Sequence, residues 1–313
     1  MPPPFLSVVM PVHDGERWLD AALGSLAAQG EPDLECILVD SSRDGSLAVA
    51  RRYEGALDVV VHHRPDLRSW QAKTNFGVSL ARGTHIGMLH QDDVWLRGRA
   101  ATVRRWVEAA PDTVLFLHPC SVIDERERNL GVWRCPLPEG RAVDAALLHD
   151  RLLVQNFVAI PAPTIRRDAF LAVGGLDEAL WYTADWDLYL KLAAHGPVGY
   201  ANDVLAGFRV HSGSLTVTGS RRAGDFREQM EIVLARHGAR ASRHRERVLR
   251  KAQASVAINA ALAAAHQGEP RALGRALSAF LGLGPVSALG YLRDSRLHER
   301  VLPRLKARLA GAF

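Results

Sequence analysis

Cysteine is scarce in these 313 residues: Cys36, Cys120 and Cys135 are an odd number with no Cys-x-x-Cys spacing. This argues against a disulfide framework and a thiolate zinc site, and it fits a reducing cytosol. Met1-Pro2-Pro3-Pro4 carries neither a cationic nor an apolar leader segment, so no secretory signal is expected. Long apolar runs are lacking too. Ala276–Leu292 is uncharged, but three glycines and a proline interrupt it, leaving it too short and too broken for a transmembrane helix. Phosphate-loop, G-x-G-x-x-G, G-x-S-x-G and H-E-x-x-H patterns do not occur, which disfavours the common kinase, dehydrogenase, hydrolase and zincin readings. No internal repeat or low-complexity segment is found.

What is there describes a globular chain. Hydrophobic residues make up 48% and charged residues 23%, enough for a sizeable core. The formal net charge of +5 conceals an asymmetry: from Arg236 to Phe313 there are 15 Lys/Arg against 4 Asp/Glu, a net of +11 that leaves −6 for the rest. An acidic body is joined to a basic, Ala/Leu/Arg-rich tail.

The first ninety residues alternate strand and helix signals. Leu6–Met10 reads as a buried strand stopped by Pro11, and a helix follows over about Trp18–Ala28. Cys36–Val39 and Val59–Val61 read as further strands. A helix at about Ala72–Ala81 leads into a fourth strand, Ile86–Leu89. Such alternation predicts a mainly parallel sheet with helices on both faces. Ligands of such sheets bind beyond the carboxyl ends of the strands, so His13-Asp14, Asp40-Ser41 and His90-Gln91-Asp92-Asp93 are expected to converge on one crevice. Beyond about Asp225 two or three amphipathic helices are expected, with breaks near Gly268–Pro270 and Gly282–Pro285.

Three constellations carry chemistry. Adjacent Asp92 and Asp93 repel unless a cation lies between them, which a Mg²⁺ or Mn²⁺ completed by substrate phosphates provides; the alternative is that Asp92 caps a helix begun by Val94-Trp95-Leu96. Asp185 stands at a helix start amid Trp181 and Trp186, either as a general base of raised pKa or as another N-cap. Arg209 and His211 follow a strand near Val204–Phe208 and project to one face, and His211 is either a metal ligand or an ordinary satisfied histidine. Trp70, Trp95, Trp106 and Trp133 are not interleaved with a basic run. They read as core or cleft walls rather than stacking platforms, and no nucleic-acid partner is expected. Gly83 and Gly87 bracket the fourth strand and permit close backbone packing.

Over Leu6 to Thr216 these pieces, in order, resemble the family 2 inverting glycosyltransferases, which have a GT-A fold. Pro11-Val12-His13-Asp14 is similar to that family's opening segment. Val39–Ser46 is similar to its VDDGSTDGS segment, and Ala72–Gly77 to ARNxG. His90–Asp93 stands for DADD, Gly174–Glu178 for GGFDE, Ala184-Asp185 for ED, and Arg209–His211 for YRxH. The resemblance implies a nucleotide-diphosphate sugar donor and a Mn²⁺ or Mg²⁺ cofactor. It places Pro11, His13, Asp40, Ser41, Arg68, Lys73, Asn75, Gln91 and Asp92 at the nucleotide, and Asp92, Asp93 and His211 at the metal. Asp185 would be the base, with Trp181, Ala184, Trp186 and Arg209 supporting the acceptor side. Ser41, Lys73, His90 and Ala184 depart from the family's usual residues, so the donor base and sugar stay open.

The implied organisation is a GT-A catalytic domain over 1–220 and a basic helical region over 221–313, in a cytoplasmic protein. Arg243, Arg245, Arg247, Arg250 and Lys251 read as a solvated helix face or as a surface docking on anionic phospholipid, and homodimerisation through these helices fits equally. Two other functions are weighed. A nucleotidyltransferase normally carries a glycine- and arginine-rich phosphate loop after its first strand, where Pro11–Glu16 offers one Gly. A non-catalytic sugar-nucleotide or glycan-binding member is disfavoured by the presence of Asp92, Asp93, Asp185 and His211. The acceptor is not named by the sequence; it depends on cleft shape and on the segment Arg126–Ile160.

Overall fold

β1 (Leu6–Val12) and β2 (Leu34–Asp40) are buried at every position, as strands covered on both faces must be. The computed structural model describes residues 3–140, 142–214 and 223–309. With β3 (Asp58–His63) and β4 (His85–Met88) these strands form a parallel group, joined by α1 (Glu16–Ala27), α2 (Ser46–Arg51) and α3 (Trp70–Leu80). Then follow β5 (Val94–Trp95), α4 (Arg99–Ala109), β6 (Leu115–Leu117), β7 (Cys120–Ile123) and β8 (Asn129–Trp133). α5 (Ala145–Val154), β9 (Thr164–Arg166), α6 (Arg167–Ala172), α7 (Ala184–Ala193), β10 (Val198–Tyr200) and β11 (Ala206–Arg209) continue the chain.

The large sheet has seven strands in the order β10-β6-β9-β4-β1-β2-β3, mainly parallel, with β9 antiparallel to both its neighbours. Alternate residues of β1 serve opposite faces. Val9 joins the core under α3, α5 and α7, while Val8, Met10 and Val12 join the core under α1. A second sheet, β5-β11-β7-β8, sits beyond the end of β4. Gly87 allows that approach, because a Cβ there would lie 2.9 Å from the Trp95 ring.

Two local expectations are corrected. Pro11 does not stop β1. Val9 O faces β4 and accepts from Leu89, and Val12 O faces β2 and accepts from Ser41. Pro11 therefore faces the β4 side, where the ladder already ends at Val9↔Met88, and its missing N–H costs no sheet bond. Asp92 does not cap a helix begun by Val94, since Val94 and Trp95 pair with Gly207 and Ala206 as β5.

The C-terminal part holds α8 (Ala223–His237), α9 (Arg245–His266), α10 (Ala272–Leu281), α11 (Pro285–Ser295) and α12 (Leu297–Leu309). These are more helices than the amphipathic pattern gave, with the two breaks where the glycines and prolines fall. Met230 and Val233 of α8 and Val256 of α9 complete the main core. The expected boundary between residues 220 and 221 lies outside the described residues. Of the basic cluster, Arg243, Arg245 and Arg247 are exposed, but Lys251 is buried and ion-paired to Asp294 at 2.7 Å. All three cysteines are free and buried.

Candidate active site

The ends of β1 and β2 and the loop after β4 do converge. Gln91 clamps the end of β1: His13 N donates to Gln91 Oε1 at 2.7 Å, and Gln91 Nε2 donates to His13 O at 3.0 Å. The exposed His13 ring lies 3.2 Å from Ser41 Oγ. Behind this ledge Asp40 is fully buried, accepting from Ser42 N and lying 2.8 Å from His63 Nδ1. Lys73 reaches up from α3, and its Nζ donates to Val12 O at 2.6 Å. Burial brings the Lys73 ammonium down to about 8, partly countered by the charges of Asp40 and Asp14.

Two more residues are expected at the nucleotide. Arg68 sits exposed in the loop between β3 and α3. Asn75 spends both ends of its amide on the Gly174–Glu178 loop, donating to Leu176 O at 2.9 Å and accepting from Leu176 N at 3.0 Å. It acts there as a stand-in peptide group, closing a bridge between α3 and the loop that precedes α7. Gly175, at φ +65°, passes so close that a Cβ would come within 2.8 Å of Asn75 Oδ1.

The Asp92–Asp93 pair is split in function. Asp92 Oδ2 and His211 Nε2 face each other at 2.9 Å. Burial pushes the Asp92 carboxyl up, but the His211 hydrogen bond and the charges of His90 and His211 outweigh it and hold it low. Asp93 turns inward and accepts the backbone N–H of Arg209 at 2.9 Å; burial, then the Asp92 charge, drive its carboxyl well above the usual range. Buried Arg209 staples this loop to the second sheet, donating through Nε to Asp92 O and through Nη1 to Asp124 O. The Trp18 ring packs against both Arg209 and His211, at 4.8 and 5.4 Å.

A divalent cation fits this arrangement in part. The Asp92–His211 separation is about the edge of an octahedron built on ~2.1 Å bonds. Among the described residues no group of three or more His, Cys, Asp or Glu is placed to hold a metal. Asp92 and His211 would be the ion's protein ligands, leaving the rest of the shell to groups from outside the chain. Asp93, expected as a third ligand, is occupied by Arg209.

Asp92, Asp93 and Arg209 line one cavity together with Asp185, Trp181, Trp186, Trp70 and Trp133. Asp185 opens α7. Its Oδ1 accepts from Trp186 N at 2.8 Å and its Oδ2 from Asn156 Nδ2 at 2.9 Å. Burial lifts the carboxyl to about 6, against the lowering effect of these bonds. Trp186 is fixed by its Nε1 donating to Leu152 O at 2.7 Å, and Ala184 lies wholly inside the core.

The comparisons fall on this geometry. The sequence model described as glycosyl transferase family 2 matches residues 7–156, which hold the β1–β2 ledge and the Asp92 loop. Residues 7–156, just under half of the chain, are thus a glycosyl transferase family 2 segment by sequence. The chain is 26% identical over 192 residues to an uncharacterized glycosyltransferase of Haemophilus influenzae, covering 60% of the chain and 61% of that protein. It is 29% identical over 196 residues to a PGL/p-HBAD biosynthesis glycosyltransferase of Mycobacterium bovis, covering 61% of the chain and 70% of that protein. The chain thus spans under two thirds of the Haemophilus relative's length. Among solved structures, S. aureus TarS 1-349 in complex with UDP-GlcNAc superposes with a TM-score of 0.66 at 16% identity, over 91% of this chain and 92% of that one. Mannosyltransferase PcManGT from Pyrobaculum calidifontis, in complex with GDP-Man and Mn²⁺, gives 0.55 at 19% identity over 97% and 87%. The fold of the chain is GT-A, with C-terminal helices.

Sequence reasoning missed several residues of its site. Asn156 lies in a loop with no local pattern, and Trp18 reads simply as a helix-core residue. Arg300 and Arg304 of α12 also line the cavity, yet their one signal is an i, i+4 spacing within a generally basic tail.

Proposed function

We propose that this glycosyltransferase transfers a sugar from a nucleoside-diphosphate donor to an acceptor hydroxyl with inversion, Asp185 serving as general base. One observation carries the reading: a buried carboxyl raised to about 6 and the Asp92–His211 pair line or adjoin a single cavity. The nucleotide-sugar complexes of TarS and PcManGT support the donor class, and the Mn²⁺ of the latter supports a divalent ion held by Asp92 and His211. When bound, that ion neutralises charge on the departing diphosphate. Every other task falls to the chain itself. His13, Ser41 and Lys73 form the ledge for the nucleotide, which Gln91 holds in register with the Asp92 loop. Asn156 and the Trp186 N–H fix the Asp185 carboxylate, so that it takes a proton from an acceptor entering between Trp70, Trp133 and Trp181. A single carboxylate suffices for in-line, inverting displacement.

The finer assignments are part of the same proposal. Residues 1–220 carry donor and base, and 221–313 form an accessory helical region whose apolar face contacts lipid peripherally or a second copy of the chain. The product belongs to a polysaccharide, glycolipid or related glycoconjugate, made on the cytoplasmic side.

The test is a thermal-shift series with UDP, GDP, ADP and CDP, each with and without Mn²⁺, on wild type and Asp92→Ala. One nucleotide should raise Tm only with the metal, and the shift should vanish in Asp92→Ala. No nucleotide-dependent shift in the folded wild type would sink the proposal. With that donor identified, Asp185→Asn should cut transfer by about 10²–10⁴-fold and leave nucleotide affinity unchanged.

A further inference from the structure

The cavity holds two cations that the transfer reaction, as proposed, does not use. α12 lies against β8 and is anchored there. Glu299 Oε2 accepts Arg134 N at 2.8 Å, and its Oε1 accepts from Arg296 at 2.8 Å. From this fixed helix Arg300 and Arg304 line the same cavity as Asp185 and Trp133. The Arg300 guanidinium carbon stands 5.5 Å from the centre of the Trp133 ring. Its Nε and Nη1 are shut off from solvent and find no hydrogen-bond partner among the described residues. Arg304 is spent once, on Arg300 O at 2.8 Å. Burial and then the neighbouring Arg300 charge bring the Arg304 guanidinium down to about 10. Neither arginine is ion-paired with a carboxylate among the described residues.

An uncompensated buried guanidinium is costly, and two side by side repel each other. Each presents a planar fork of donors shaped for phosphate or carboxylate oxygens. The nearby acids relieve them only at a distance: Asp92 is engaged with His211 and Asp93 with Arg209 N, while Asp185 feels the Arg300 charge but spends its oxygens on Asn156 and Trp186 N. The unpaired positive charge therefore lies beside Trp133, in the cavity that Asp185 also lines. Resting on the transferase reading above, we propose that Arg300 and Arg304 form a phosphate subsite for the acceptor. The substrate class is then a phosphate-bearing acceptor, its anionic group gripped by α12 while a neighbouring hydroxyl meets Asp185. The other source of phosphate for the same donors is the nucleotide diphosphate, and the experiment separates the two.

Binding of sn-glycerol 3-phosphate and, separately, of UDP and GDP with Mn²⁺ is measured by titration calorimetry on wild type, Arg300→Gln, Arg304→Gln and Asp92→Ala. Wild type should bind glycerol phosphate without nucleotide. Each arginine variant should lose at least tenfold in that affinity and keep its nucleotide affinity, and Asp92→Ala should show the converse. Arg300→Lys should recover only part of the loss, since it restores charge without the fork. Circular dichroism melts establish that the variants fold; removing an uncompensated buried charge should leave Tm equal or higher. Glycerol phosphate binding that is absent in wild type, or unchanged in both arginine variants, overturns the subsite. Loss of nucleotide instead of glycerol phosphate affinity reassigns the arginines to the donor and overturns the acceptor claim. Wild type that takes glycerol phosphate but no nucleotide overturns the transferase reading and leaves the anion site standing.

Discussion

Asp185 sits in a conflict that sets both its activity and its cost. Burial lifts its carboxyl from 3.8 to about 6, while two hydrogen bonds favour the ionised form. A proton acceptor must be ionised, so transfer should rise about tenfold per pH unit below 6 and level off above it. A pH–rate profile of kcat/KM checks this; a profile flat from 5 to 7 would remove Asp185 from the role. Stability runs the other way. Between pH 4 and 6 the folded chain keeps a proton that the unfolded chain has lost, so this group's contribution falls across that window and stays low above it. Asp185→Asn removes a penalty of up to about 3 kcal/mol, at 1.36 kcal/mol per pKa unit. It also sacrifices one of two hydrogen bonds, about 1 kcal/mol. The variant should therefore be more stable by about 1–2 kcal/mol at pH 7, and no more stable below pH 4, in urea titrations at the two pH values. An inactive variant that is also stabilised is what a strained functional group predicts, and what a structural N-cap does not.

At the level of elements, the site depends on bridges between segments far apart in sequence. The Asn75 amide ties α3 to the loop before α7, satisfying both backbone groups of buried Leu176. Asn75→Ala leaves those groups unpaired and should cost about 2 kcal/mol in denaturant titration. Nucleotide affinity should stay within about twofold, whereas a nucleotide ligand at this position would lose much more. These bridges also explain which parts of the molecule are legible in the sequence. β1, β2 and β4 announce themselves because apolar runs buried on both faces need no partner to be recognised. The convergence of His13, Ser41 and Asp92 follows from the strand order alone. Asp185 at the start of α7 is legible from the glycines before it and the apolar positions behind it. β5 is not, being two residues whose strand character comes from pairing with β11. The diversion of Asp93 to Arg209 and of Asn75 to Leu176 is equally invisible, because a carboxylate or amide looks the same in sequence whichever neighbour the fold supplies. α12 reads as one more basic helix until β8 is seen beneath it.

On the scale of the whole molecule, α10 and α11 meet at a bend of 113° and leave an apolar face uncovered. Leu273, Leu277 and Leu281 recur at helical spacing on α10, and Val286 and Leu289 extend the patch onto α11; all are more than half exposed. Exposed Arg271, Arg275 and Arg293 flank it. No single helix among the described residues is long and apolar enough to cross a membrane. The proposed lipid contact predicts co-sedimentation with phosphatidylglycerol vesicles that weakens at least tenfold in Leu277→Asp/Leu289→Asp, and weakens as salt rises. Retention unchanged by that pair would refute it. A shift from dimer to monomer in sedimentation equilibrium would assign the face to a second copy instead.

The cleft is assembled unevenly along the chain. The nucleotide ledge comes from β1, β2 and the loop after β4, all inside the segment matched by the family, whereas Asp185 and the arginines of α12 lie beyond it. Under the proposals above, donor and acceptor residues both straddle residue 156, Trp70 and Trp133 lying before it and His211 after it, but the phosphate grip of α12 is a stretch of its own. Mutations in α12 can then alter what is glycosylated without disturbing which activated sugar is consumed. Duplicated copies of such a gene can diversify their targets while drawing on the same metabolic pool, by changes confined to the last helix.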